Sequence, residues 1–159
     1  MIGRNLSSRS VADDQRDLGA MLQRVLTEVL ARERKILATY DLPMWDYVAL
    51  VRLDGGAAPT QAQLAAAMGR DKNRVIETVD RLEQRGLISR RIDPADRRNR
   101  IVGLTQDGRQ VLTACRHAIR TMEHRLLRHL PGEDRARFVS ALRQLDDAVP
   151  GRDPAAGPD

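Results

Sequence analysis

Five arginines, Arg90, Arg91, Arg97, Arg98 and Arg100, crowd into eleven residues of this 159-residue chain, and Lys72, Asn73 and Arg74 stand in a row directly behind Asp71. A guanidinium offers a planar fork that suits phosphate and guanine edges, and an Asn amide can bridge two edge atoms of adenine. These residue types therefore point to nucleic-acid chemistry, with charge for the backbone and forked donors for the bases. A formal net charge of +5 agrees with an anionic partner. Lys35 and Lys72 are the only lysines; a GC-rich genome also produces such a bias, so the position of the arginines says more than their number. No nucleophile with a positioned base, no carboxylate pair and no phosphate-cradling glycine loop is recognisable, and the expectation is that the protein is not an enzyme. His117, His124 and His129 are spaced by seven and five and have no cysteine partner nearby, so neither a metal nor a cofactor is expected. The lone Cys115 excludes an intrachain disulfide framework and, lying on an apolar helical stripe, reads as a buried structural thiol.

The elements that must position these groups are mostly helical. Aromatic residues make up only 3% of the chain, so Leu, Val, Ile, Ala and Met must fill the interior. From Asp13, a candidate N-cap, Leu18, Met21, Leu22, Val25, Leu26, Val29, Ile36 and Leu37 recur at three- and four-residue steps, predicting a long amphipathic helix. A second helix is expected to open near Asp41 with Pro43 in its first turn, to carry Trp45, Val48, Ala49 and Leu50, and to stop at Asp54, Gly55 and Gly56. Thr60 and Gln63 form a capping-box pattern that places a short helix at about 60–67. Met68 and Gly69 end it, Asp71 caps the next, and Val75, Val79 and Leu82 repeat along that helix until Gly86.

Ala65, Gly69 and Val75 have the spacing of a helix-turn-helix: a small residue lets the helices cross closely, a glycine permits the turn, and an aliphatic side chain locks the second helix. Leu87 to Ile92 and Arg100 to Leu104 are short β-compatible stretches around a turn of Asp93, Pro94, Ala95, Asp96, Arg97, Arg98 and Asn99. A hairpin with a basic tip, directly after a recognition-type helix, is a wing. After Thr105, another candidate N-cap, Val111, Leu112, Cys115, Ile119, Met122, Leu126 and Leu130 continue a helical stripe as far as Pro131 and Gly132. A last helix begins near Glu133 and uses Phe138, Leu142, Leu145 and Val149 as its apolar face.

The stretch DPADRRNRIVGLTQDG, Asp93 to Gly108, resembles the MarR (multiple antibiotic resistance regulator) family, whose members show D-x-R, five variable residues, then L-T-x-x-G. Asp96, Arg98, Leu104, Thr105 and Gly108 stand at those spacings, and the preceding VDRLEQRGLISRR is similar to the family's recognition-helix exit. The resemblance covers about residues 13–149. It implies a mainly α fold with a small β-wing: a winged helix-turn-helix DNA-binding lobe at about 42–104, plus N- and C-terminal dimerisation helices at about 13–39 and 106–149. Residues 1–12 and 150–159 are expected to be disordered.

A helix can enter the major groove while a wing crosses the backbone to the minor groove. On that basis Thr60, Gln61, Lys72, Asn73, Arg74, Arg91 and, one turn further along the helix, Thr78 are expected to face DNA. Asn73 and Arg74 either read adenine and guanine or touch phosphate. The resemblance implies that Arg98 is the minor-groove arginine, that Asp96 organises the tip, and that Arg97 and Arg100 lie near phosphate. The first and last helices leave a large apolar surface that a second copy would cover, predicting a homodimer on double-stranded DNA. The resemblance further implies interlocked terminal helices, repression as the default, and a small aromatic or anionic effector, near which Tyr40 and Trp45 could lie. No apolar run of membrane-spanning length and no secretory segment is visible, so a cytoplasmic protein with no membrane partner is expected. The competing reading is an architectural winged-helix protein with little sequence preference, which differs in its specificity ratio and not in its fold.

Overall fold

The computed structural model describes residues 17–55 and 59–149. Their elements run α1 (Leu18–Ala38), α2 (Met44–Leu53), α3 (Gln61–Met68), α4 (Lys72–Gln84), β1 (Ile88–Ile92), β2 (Arg100–Leu104), α5 (Gln106–Leu127) and α6 (Gly132–Ala148). The expectations for residues 1–12 and 150–159, and Asp13 as a cap, fall outside the described residues. Asp17 fills the capping role for α1 instead, its carboxylate accepting from the Gly19 amide at 3.1 Å.

The second helix starts later than its sequence suggests. Asp41 takes a left-handed conformation (φ 51°), Leu42 folds back so that its amide donates to the Leu37 carbonyl, and Pro43 is the N-cap of α2 with extended ψ of 150°. An extended Pro43 lies outside the helix it precedes, so α2 begins at Met44 and not near Asp41. The last helix begins one residue early, at Gly132, with Glu133 and Asp134 in its first turn, where carboxylates favour the helix dipole.

The other boundaries follow the local chemistry. Thr60 and Gln63 form the full capping box at the start of α3. Gly69 is left-handed at φ 60° and closes α3, and Asp71 accepts from the amides of Asn73 and Arg74 to open α4. Ala65 and Val75 are buried between these helices. Leu50, Leu64, Val75, Val79, Leu82, Ile88, Val102 and Leu112 are all 2% exposed or less and make one core from α2 to α5. Each such side chain contributes about 1.5–3 kcal/mol relative to an exposed one. Cys115 is fully buried in the same cluster, and burial pushes its thiol above the ordinary range.

One residue explains why the chain needs glycine where α5 meets the wing. Gly108 is buried, and a Cβ there would lie 1.9 Å from the Leu87 carbonyl oxygen. Thr105 reinforces this junction, its hydroxyl donating to the Gly86 carbonyl at 2.7 Å and accepting from the Gly108 amide at 3.0 Å. Gly108→Ala should therefore push α5 away from the Leu87 backbone and destabilise the fold by about 1–3 kcal/mol. Thermal melts of the two proteins check this, and an unchanged midpoint would contradict it.

α1 divides along its length. Leu37 is buried and Val29 and Ile36 pack on the core, whereas Leu22, Val25 and Leu26 are 48%, 53% and 56% exposed. α6 has no buried residue among those described, and Phe138, Leu142, Leu145 and Val149 are exposed. These apolar side chains find no cover among the described residues.

Candidate nucleic-acid interface

α4 is amphipathic in a way that sorts its residues. Val75, Val79 and Leu82 point into the core, while Lys72, Asn73, Arg74 and Glu77 are exposed. The Asp71 cap leaves the first turn with its side chains in solvent at the positive end of the helix. Thr78 corrects the sequence expectation. It is 2% exposed and its hydroxyl donates to the Arg74 carbonyl, so it faces the interior and presents nothing to a ligand. Residue 78 follows Val75 by three, which returns it to the buried side. Glu77, four residues after Asn73, is the exposed polar group in that turn; sequence reasoning passes over it because an acid does not suggest a DNA surface.

The wing is a two-stranded antiparallel hairpin pairing Ile88 with Leu104 through Ile92 with Arg100. Its tip closes on itself. Asp93 accepts from the Ala95 amide at 2.8 Å, and Asp96 accepts from the Arg98 amide at 3.0 Å and from the Asn99 side chain at 3.2 Å. The Asn99 carbonyl accepts from the Asp93 amide at 3.1 Å. These side-chain turns hold the tip without help from the core. Arg91, Arg97, Arg98 and Arg100 are exposed, and none of them forms an ion pair among the described residues.

Arg90 differs from its neighbours in the arginine cluster. Its guanidinium pairs with Asp80 at 2.7 Å and also binds Glu83, with Nε to Oε2 at 2.9 Å. Hydrogen bonds from Arg90 hold the Glu83 carboxyl below its ordinary range. Arg90 thus fastens β1 to α4, and its charge is neutralised inside the lobe. Arg85 likewise donates to the Tyr40 and Asp41 carbonyls, and Arg81 forks onto buried Asp46, Nε to Oδ2 at 2.8 Å and Nη2 to Oδ1 at 2.5 Å. Sequence reasoning misses Asp46, since a buried acid in an apolar helix is visible only with its partner in place.

The Pro59–Thr60 segment joins the other edge of β2. The Val102 amide donates to the Pro59 carbonyl at 2.9 Å, and Thr60 bridges Ile101. The start of α3 is thereby tied to the wing. The Thr60 hydroxyl oxygen caps the Gln63 amide, and Thr60 and Gln61 are half-buried at the helix entrance.

Among the described residues Tyr40 and Trp45 make separate contacts. The Tyr40 hydroxyl reaches toward the Ala114 carbonyl at 3.5 Å, and Trp45 lies under the Arg70 guanidinium, 4.0 Å from its ring centroid. A cleft of about 310 Å³ between α1 and α2 is lined by Arg34, Ala38, Asp41, Leu42, Pro43 and Met44, without either aromatic. Among the described residues, no three His, Cys, Asp or Glu converge as metal ligands, and no helix is long and apolar enough to cross a membrane.

Comparison with known proteins gives a consistent picture. Residues 42–99 match the MarR family. The chain is 33% identical over 111 residues to the transcriptional regulator HosA of Escherichia coli O111:H-, covering 70% of this chain and 72% of that one. Its fold is similar to that of the transcriptional repressor CouR bound to a 23-mer DNA duplex, at 29% identity and a TM-score of 0.70, over 82% of this chain and 92% of that one. A MarR-family regulator from Rhodococcus sp. RHA1 aligns at 28% identity and a TM-score of 0.67, over 87% and 97% of the respective chains.

Proposed function

The chain belongs to the MarR family of DNA-binding transcription regulators, and we propose that it acts as a homodimeric repressor on a pseudo-palindromic operator. Its relatives are regulators and not enzymes. The observation that carries the finer reading is the division of its cations. Arg81, Arg85 and Arg90 are tied to acceptors within the lobe, whereas Lys72, Arg74, Arg91, Arg97, Arg98 and Arg100, exposed on the first turn of α4 and the wing, form no ion pair among the described residues. A basic surface built from a recognition helix and an ordered hairpin suits one major groove and the adjacent minor groove.

In this reading Lys72, Asn73 and Arg74 enter the major groove, and Thr60, Gln61, Arg91, Arg97 and Arg100 approach phosphate. Arg98 enters the minor groove from a tip that Asp96 orders. Residues of about 42–104 read DNA, and α1, α5 and α6 dimerise. The uncovered apolar faces of α1 and α6 support the second copy, because so much exposed Leu, Val and Phe is unfavourable in water. Two copies related by a twofold axis would set their recognition helices about one helical turn of DNA apart. Release by a small aromatic or anionic effector is carried over from the family; the placement of Tyr40 and Trp45 adds no specific support for it.

Selection of bound sequences from random duplexes, followed by anisotropy titration of the winner against scrambled DNA, tests this directly. The expected result is an inverted repeat bound by two chains at least about a thousandfold more tightly than scrambled DNA. Equal, salt-sensitive binding to both duplexes would replace this reading with a general, architectural role.

A further inference from the structure

Arg70 occupies the turn between α3 and α4, beside the exposed first turn of α4 but outside the basic surface that α4 and the wing form. Its backbone is fixed: its amide donates to the Ala65 carbonyl at 3.1 Å behind left-handed Gly69, and the next residue is the Asp71 cap of α4. The side chain has a partner as well: its guanidinium lies over the Trp45 ring, 4.0 Å from the centroid. Among the described residues, no carboxylate forms an ion pair with it. Arg81, Arg85 and Arg90, the arginines whose guanidinium groups reach across to other segments of this lobe, are all held by oxygen acceptors. Arg70 alone of these four is held by a ring.

That difference matters chemically. Stacking engages the face of the guanidinium and leaves its in-plane N–H fork open, whereas a carboxylate partner would occupy the fork. A pre-oriented, half-buried cation with an open fork, at the amino end of the helix that carries Lys72, Asn73 and Arg74, matches a phosphodiester flanking the groove. We propose that Arg70 is a phosphate-binding residue of the DNA interface and that Trp45 is its positioning residue. This rests on the proposed DNA-reading surface and adds a contact on the helix-turn-helix side, opposite in sequence to the wing. It also gives Trp45 a role that needs no effector.

The test uses the full chain, with the selected duplex and a scrambled duplex of equal length, titrated by anisotropy across a salt series. Phosphate contacts carry no sequence information, so Arg70→Ala should weaken binding to both duplexes about tenfold and make the salt slope shallower by about one. Arg70→Gln, which keeps most of the side chain without its charge, should lose the same increment of slope, and it serves if the alanine variant folds poorly. Arg70→Lys should keep the slope with part of the affinity lost. Trp45→Leu should weaken both duplexes about threefold with the slope unchanged, since the charge remains but is no longer held in place. Trp45 is the only tryptophan, so its emission should change on DNA binding in the unsubstituted chain and much less in Arg70→Gln. Wild-type affinity and slope in Arg70→Ala and Arg70→Gln would overturn the proposal while leaving the DNA-reading surface intact. Loss confined to the selected duplex would also overturn it, as base reading. Failure of the unsubstituted chain to bind either duplex would overturn both readings.

Discussion

Replacing Arg81 by methionine is expected to destabilise the fold by about 3 kcal/mol, the low end of the range for orphaning a buried charge. Asp46 is fully buried on α2, and both of its oxygens are taken by the Arg81 fork reaching from α4. Without that fork the carboxylate would have neither water nor cation. The low end applies because the Arg81 side chain is itself 45% exposed and already partly hydrated. The converse change, Asp46→Asn, should cost only about 1 kcal/mol, since it leaves no charge buried and the half-exposed arginine keeps its water. Thermal unfolding of the two variants decides the matter, with midpoints lowered by about 6–12 °C and 2–4 °C respectively. If Asp46→Asn were the more damaging, the pair would not be acting as a buried anion with a half-exposed counterion. By contrast, the exposed Arg32–Glu28 pair along α1 should be worth a few tenths of a kcal/mol.

Arg98→Ala should leave the melting temperature where it is and lower DNA affinity by about 10- to 100-fold, equivalent to about 1–3 kcal/mol. The side chain is exposed, so little packing is lost, and the backbone bond from its amide to Asp96 is unaffected by the substitution. Asp96→Ala should reproduce part of the loss while keeping every cation. It removes the acceptor for both the Arg98 amide and the Asn99 side chain, so a tip ordered in advance becomes one that must be ordered on binding. Titration at two salt concentrations separates the two effects: Arg98→Ala should change both affinity and salt slope, Asp96→Ala affinity alone. Unchanged binding by Arg98→Ala would remove the wing from the interface.

Those elements that depend on short-range chemistry are legible in the amino-acid sequence. The Thr60–Gln63 capping box, the Asp71 and Thr105 caps, left-handed Gly69 and the hairpin around Asp93–Asn99 each declare themselves within a few residues. What escapes depends on contacts between distant segments. Arg90 belongs to a basic run in sequence, yet Asp80 and Glu83 from the preceding helix claim it. Thr78 suggests a DNA-facing hydroxyl, but helical phase turns it inward. Arg70 carries no signal in the sequence because its partner, Trp45, lies 25 positions earlier on another helix. The family motif places Gly108 without giving its reason, which is the carbonyl of Leu87 on its far side.

The junction at Thr105 also has a mechanical consequence. The Thr105 amide donates to the Leu87 carbonyl at 3.1 Å and its hydroxyl to that of Gly86, while Gly108 leaves no clearance against the Leu87 backbone. A joint so closely fitted has little slack for bending, so α5 and the root of the wing turn together as a crank turns with its handle. At about 1.5 Å per residue, the 22-residue α5 is a lever arm about 33 Å long. A displacement of about 3 Å at its far end then corresponds to a swing of about 5° at the winged lobe, so small movements among the long helices re-aim the arginine tip without unfolding any element.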